Sequence, residues 1–241
     1  MIQVTHFSKS FGTKLVHKNI NFHVKKGECL GLIGGSGTGK SVILRSLIGL
    51  EIPDTGTVLV NGLEINKLSE QDLIKVRQKV SYVFQGGALF DSLTVFDNLA
   101  YTLKEHTQLS NAEISAKILT TLEQFGLSDS AQLMPSQLSG GMQKRVGLAR
   151  SMVMDPEVLL YDEPTAGLDP FNTRRIQELI LRLKDTGVTS ILVTHDMPVA
   201  LQVCDRLALL LRGEIVEEMT PAKFHQSPNA LMHRFIHGEA F

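Results

Sequence analysis

Eight consecutive residues, "GGSGTGKS" from Gly34 to Ser41, concentrate four glycines, one lysine and three hydroxyls. Glycine at Gly34, Gly35, Gly37 and Gly39 lets backbone N–H groups turn toward one point with no side chain in the way. Ser36 and Thr38 complete a loop able to wrap phosphate oxygens. The spacing fits G-x-x-x-x-G-K-[ST], between the apolar run "ECLGLI" and the helix-like "SVILRSLIGL". A helix starting there turns the positive end of its dipole toward the same anion. Lys40 then reaches the β- and γ-phosphates of a nucleoside triphosphate, and the Ser41 hydroxyl binds magnesium.

A second constellation lies in "VLLYDEP", Val158 to Pro164. Asp162 ends an apolar run of strand character, where its carboxylate can hold a magnesium shell through water. Glu163 comes next and is left for another task, accepting a proton from the attacking water or orienting it. Together the two stretches predict a magnesium-dependent nucleoside triphosphatase.

"LSGGMQKR", residues 138–145, is a second glycine turn opening a second helix. Ser139, Gly140 and Gly141 offer exposed amides, a hydroxyl and a positive dipole end. Met142, Val146, Ala149 and Val153 mark the buried face of the helix that follows. One bound triphosphate needs one cradle, so two cradles of different design imply two ligands or two subunits sharing one. Taken with the phosphate loop and the paired carboxylates, this stretch resembles the signature motif of ATP-binding cassette (ABC) proteins. The resemblance implies a head-to-tail ATPase homodimer, in which the signature of one subunit closes on the ATP γ-phosphate held by the phosphate loop of the other.

The resemblance extends along essentially the whole chain. Phe11, in "SKSFGTK", matches the adenine-stacking aromatic, usually tyrosine, although local packing in a polar turn would also account for it. Gln85, in "YVFQGG", matches the glutamine that joins core to helical subdomain and touches magnesium and the attacking water. Asp169, in "AGLDP", matches a dimer-interface aspartate and is equally placed to cap the helix that follows. His195, in "LVTHD", matches the histidine that contacts the γ-phosphate. The surroundings of His6, His17 and His225 are bland, and no role is assigned to them.

These residues need elements to position them. "IQVTHF" and the alternating Ile20, Phe22 and Val24 read as half-buried strands, and "GTVLVNG" as a further strand closed by a turn. From about Gln85 to Asp155 the pattern becomes helical, with a capping box at Ser110 and Glu113, apolar Ile114, Ile118, Leu122 and Phe125, and a stop at Gly126. After Pro156, "EVLLYDEP" and "TSILVTHD" read as buried parallel strands. Between them lies a helix with Asp169 as cap, Pro170 in the first turn and Gly187 as stop. The expected architecture is a single α/β domain. It has a P-loop NTPase (RecA-like) core with an N-terminal antiparallel β subdomain over residues 1–85 and 156–241, and an inserted α-helical signature subdomain over 86–155.

Composition bounds the function. Lys plus Arg number 24 against 25 for Asp plus Glu, so there is no basic excess of the kind that binds nucleic acid. Cys29 and Cys204 match no metal or redox spacing, which fits a reducing compartment. The N-terminus does not read as a signal peptide, and no apolar run reaches membrane-spanning length, so a membrane role would come through a partner. "GGALFDSLTVFDNLAY", "EHTQL", "LMPSQLSGGMQKRVGLARS" and Met142 resemble the Mla/Mce-type ATPases of bacterial phospholipid transport; general importers more often have glutamine at the Met142 position. That resemblance implies a permease docking near the Gln85 loop, where Leu89, Phe90, Leu93 and Phe96 could line an apolar groove. It also implies an Mce-type lipid-binding subunit, a STAS-domain partner, and a place on the cytoplasmic face of the bacterial inner membrane through the permease. Some members carry a longer tail that grips the opposite subunit, whereas here a helix-like "SPNALMHRFIHG" leads to Phe241. The competing readings are an importer of polar solutes and a non-transport regulator acting on ribosomes or DNA.

Overall fold

The computed structural model describes residues 1–226 and Phe235. Its strands are β1 (Ile2–Phe11), β2 (Lys14–Val24), β3 (Cys29–Ile33), β4 (Thr55–Val60), β5 (Leu63–Glu64), β6 (Val80–Val83), β7 (Val158–Asp162), β8 (Thr189–Thr194), β9 (Arg206–Leu211) and β10 (Glu214–Met219). Its helices are α1 (Lys40–Leu47), α2 (Glu70–Lys79), α3 (Val95–His106), α4 (Asn111–Gln124), α5 (Gly140–Met152), α6 (Pro170–Asp185) and α7 (Met197–Val203). The chain forms two compact units, residues 1–77 with 183–241 and residues 78–182, with the boundaries falling late in α2 and α6. The helix-like stretch 227–238 lies, Phe235 apart, outside the described residues.

The first unit contains two kinds of sheet. β2, β1, β4 and β5 lie side by side in that order, antiparallel throughout. Ile20, Phe22 and Val24 of β2 are buried while the residues between them face out, the alternation expected of a sheet with one wet face. β3 instead lies between β8 and β9, parallel to both, and β10 closes on β9 antiparallel. All five residues of β3 and all six of β8 are buried, which fits the apolar sequence of β3 and the apolar centre of β8 at residues 191–193; Thr189, Ser190 and Thr194 are buried polar residues. Cys29 on β3 and Cys204 after α7 end with their sulfurs 3.9 Å apart, both free and buried, although 175 positions separate them.

In the second unit β6 and β7 pair in parallel, and α3, α4 and α5 pack on one another. The capping box at Ser110 forms: the Glu113 carboxylate accepts from the Ser110 N–H at 2.8 Å, and the Ser110 oxygen accepts from the Glu113 N–H. Ile114, Ile118, Leu122 and Phe125 are buried, and Gly126 ends the helix at φ 63°. Asp169 caps α6, accepting from the Asn172 N–H at 3.0 Å. On α5, Val146, Ala149 and Val153 are buried as the helical spacing predicts, but Met142 is only half-buried because it lies one turn from the exposed start of the helix.

β3 delivers the chain into the phosphate loop, so its packing governs the loop. Replacing the fully buried Leu32 with alanine is expected to cost about 3 kcal/mol. The same change at Leu63, 48% exposed, is expected to cost less than about 0.5 kcal/mol. Urea denaturation of both variants checks the contrast.

Candidate functional site

In the first unit the phosphate loop closes on itself. The Lys40 ammonium donates to the carbonyls of Gly34 and Gly35 at 2.8 and 2.9 Å, and the Thr38 hydroxyl donates to Gly35 at 2.9 Å. Two glycines are fixed by close approach. A Cβ on Gly34 would lie 2.5 Å from the backbone oxygen of Leu210, at the end of β9. A Cβ on Gly39, where φ is 91°, would lie 2.5 Å from Val16 and 2.7 Å from the His17 ring. α1 begins at Lys40 with no side-chain N-cap, the arrangement in which a bound anion can serve as the cap.

His17 lies against this loop. It is fully buried, with Nε2 3.0 Å from the Gly39 carbonyl oxygen and its ring 5.5 Å from that of Phe7. A carbonyl only accepts, so Nε2 carries the hydrogen, while buried Nδ1 has no hydrogen-bond partner among the described residues. Burial pushes the His17 pKa below its ordinary value, and the bond to Gly39 works weakly the other way. Phe11 is the last residue of β1 rather than a turn residue. Its ring is 45% exposed, with the Lys9 ammonium 5.2 Å from its centre. His195 follows β8 directly and is exposed, and its neighbour Asp196 caps α7.

The second unit carries the carboxylates and the second cradle. Asp162 ends β7 and accepts from the Tyr82 hydroxyl at 2.6 Å, which fixes the direction of its carboxylate. Glu163 is in the left-handed region at φ 49°, a conformation costing a non-glycine residue on the order of 1 kcal/mol. The Lys144 ammonium on α5 is buried without a hydrogen-bond partner among the described residues. Burial pushes its pKa down and the charge of Glu163 pulls it up. Gln85 is exposed at the corner of a turn closed by Gly87 N–H donating to the Phe84 carbonyl at 2.9 Å. Arg150 of α5 ties that turn down by donating to the Gly87 carbonyl at 3.1 Å.

The signature turn and Asp169 are brought together. Ser139 caps α5, its oxygen accepting from the Met142 N–H at 3.3 Å. A Cβ on Gly141 would lie 2.3 Å from the Asn172 side-chain oxygen, and Asn172 also donates to the Asp169 carboxylate at 2.5 Å. Those bonds hold the Asp169 carboxyl below its ordinary pKa. Gly140 differs, because a Cβ there would meet nothing within 4 Å. Ser41, Gln85 and Asp162 each carry a hard oxygen of the kind magnesium takes, and a loop in which Gly34 and Gly39 leave no room for a side chain fits a triphosphate.

A family model described as "ABC transporter" matches residues 17–166. The chain belongs to the ABC transporter family. It is 36% identical to the intermembrane phospholipid transport system ATP-binding protein MlaF of Haemophilus influenzae, over all of this chain and 91% of that protein. It is 43% identical to the methionine import ATP-binding protein MetN of Carboxydothermus hydrogenoformans, over 83% of this chain and 59% of that protein. The fold matches the dimeric post-hydrolysis structure of the cassette MJ0796 bound to ADP and Pi, with TM-score 0.85 and 32% identity over 92% of this chain and 99% of that one. The fold is therefore that of a P-loop NTPase cassette. Among the described residues no helix is long and apolar enough to cross a membrane.

Two residues of this cassette escape a reading of the sequence. His17 carries no motif and Lys144, although within "LSGGMQKR", has no role of its own assigned from the sequence; each gains its setting only when a distant segment, Gly39 or Glu163, folds against it. Replacing His17 with leucine removes one of the two hydrogen bonds that the Gly39 carbonyl accepts, the other coming from the Val42 N–H at 2.8 Å, and is expected to lower stability by about 1 kcal/mol at pH 8 and to weaken ATP binding. Because the folded pKa of His17 lies below 6.5, the unfolded chain takes up its proton first. The His17 contribution is thus complete above pH 6.5 and declines as the pH falls below it. Urea midpoints between about pH 8 and 5 should show that decline in the native protein and lack this component in His17→Leu.

Proposed function

We propose that this cassette is the ATP-hydrolysing subunit of a bacterial phospholipid transporter, acting as a homodimer. The family's chemistry supplies the steps, and the chain's residues take them as follows. The loop Gly34–Ser41 binds the phosphates by its amides and Lys40, and Phe11 stacks on adenine. Ser41, Gln85 and Asp162 would hold magnesium, which when bound offsets phosphate charge. Glu163 accepts the proton of the attacking water, Gln85 orients that water, and His195 stabilises charge on the γ-phosphate. Ser139, Gly140 and Gly141 serve the ATP of the other subunit, with Asp169 at the interface. ATP then closes the dimer, and hydrolysis opens it.

Gly140 carries the shared-site reading. Glycine in a first helical turn costs stability, and among the described residues nothing claims the space its side chain would fill. That supports a constraint from outside the chain. Changing Gly140 to tryptophan is expected to leave the fold and nucleotide binding intact while abolishing hydrolysis; normal turnover would refute shared sites. Glu163→Gln should cut turnover at least about a hundredfold with ATP affinity nearly unchanged, measured by phosphate release and nucleotide titration.

The lipid cargo rests on the end-to-end match to MlaF and on Met142 within "LSGGMQKR". The match to MetN supports import of a polar solute as the second reading. A permease would dock beside the Gln85 turn. There buried Asn98 holds the loop by donating to the carbonyls of Phe90, Leu93 and Thr94, and the half-exposed rings of Phe90 and Tyr101 stack 5.3 Å apart. Such a permease would hold the cassette at the cytoplasmic face of the inner membrane, with an Mce-type lipid-binding subunit and a STAS-domain protein as further partners. Mild-detergent capture on the Glu163→Gln variant with ATP separates the readings. Co-purification of a permease, an Mce-type subunit and phospholipid supports lipid transport, and a solute permease without lipid overturns it.

A further inference from the structure

The second unit contains a cavity of about 350 Å³ at the C-terminal end of α4, lined by Arg145 of α5 and by Arg175, Glu178, Leu179 and Arg182 of α6. No residue of the phosphate loop, the carboxylate pair or the signature turn lines it. Three guanidinium groups face one carboxylate there, and that carboxylate is engaged elsewhere: Glu178 pairs at 3.5 Å with Arg174, which does not line the cavity. Among the described residues Arg145, Arg175 and Arg182 have no carboxylate partner.

Two of the three arginines are held in place. Arg145 donates from Nη1 to the carbonyls of Phe125 and Gly126, at 3.1 and 2.8 Å, so α4's last carbonyls fix one edge of its guanidinium. Its Nε is buried without a hydrogen-bond partner among the described residues. Arg175 lies over the Phe171 ring at 4.6 Å, which fixes its stem and leaves its N–H edges for another acceptor. The two are close enough that the charge of Arg175, together with burial, disfavours the charge of Arg145.

Like charges gathered around a concavity and lacking counter-charges form a site for an anion. We infer that this cavity is a binding site for a phosphate group, separate from the phosphate loop, formed by Arg145, Arg175 and Arg182. A phosphate dianion offers three oxygens to planar guanidinium forks and offsets the surplus of two positive charges left by three arginines and one glutamate. The volume admits either inorganic phosphate or the phosphomonoester of a small metabolite. Occupancy links the end of α4 to α5 and α6, the two helices whose first residues are Gly140 and Pro170, next to Ser139 and Asp169.

The test uses the full chain with magnesium and a non-hydrolysable ATP analogue saturating the phosphate loop, so that phosphate uptake reports on the second site alone. Inorganic phosphate and glycerol 3-phosphate are titrated by calorimetry into the native protein and into Arg175→Gln/Arg182→Gln. Both replaced residues are exposed, so the fold should survive, which the thermal transition verifies. Saturable binding, weakened at least about tenfold in the double variant, is expected. Tighter binding of glycerol 3-phosphate supports a phosphomonoester ligand, and tighter binding of phosphate supports the free ion. Equal affinity in native and variant protein overturns the site, as does uptake that vanishes in about 150 mM chloride or once the analogue fills the loop.

Discussion

A cradle of backbone amides can be held open only if no side chain enters it, and the first unit is arranged around that exclusion. The loop after β3 runs so close to the end of β9 that Gly34 faces the Leu210 carbonyl with no room for a methyl group. At Gly39 it runs equally close to β2. β9 reaches that place because it pairs in parallel with β3, Ile33 opposite Leu209, one residue before each of the two meeting points. The sheet register and the phosphate-binding surface are therefore one constraint. A shift of either strand would drive a carbonyl into the loop. His17 completes the arrangement from β2, because its ring fills the space beside Gly39 and donates a second hydrogen bond to a carbonyl that already accepts from the Val42 N–H.

The second unit meets a different demand, that of aiming side chains. Asp162 is aimed by a hydroxyl, and Glu163 by a backbone conformation that glutamate adopts only at a cost. Strain of this kind persists where the surroundings over-determine it. Here β7, buried over its first four residues, lies on one side, and the turn closed by the Ala166 N–H donating to the Glu163 carbonyl on the other. Asn172 acts at longer range: one amide side chain both occupies the space of a Gly141 side chain and holds the Asp169 carboxylate. The signature turn and the loop before α6 thus move as one piece, which suits two segments assigned to the same neighbouring subunit.

Motifs whose chemistry is local were legible in the sequence. The phosphate loop needs adjacent glycines and a helix start, the Ser110 capping box needs two residues three apart, and β3 and the centre of β8, residues 191–193, declare their burial by apolar runs. What stayed hidden depends on pairing across the chain. Nothing near His17 marks it, since its partner is reached only through β2 packing beside the loop, and its apolar neighbours read the same whether the ring is idle or bonded. The boundaries of the units were also hidden, because they fall inside α2 and α6, where periodicity continues unbroken. Cys29 and Cys204 make the same point, since spacing along the chain carries no trace of a sulfur on β3 meeting one at the end of α7.

The near-zero net charge conceals a local field that the signature helix concentrates. α5 has no acidic residue in its first turn, where a carboxylate would normally oppose the helix dipole, and it places Lys144 and Arg145 just beyond that turn. Positive side chains near a positive dipole end raise the energy of the isolated helix. Two features of the second unit offset this: the charge of Glu163, felt by Lys144, and the C-terminal carbonyls of α4, bound by Arg145. Nearer the first turn, the Asp169 carboxylate is held by Asn172, whose side chain lies against Gly141. In the function proposed above, the phosphates of a nucleotide held by the other subunit would meet this helix end, and their negative charge would complement its dipole.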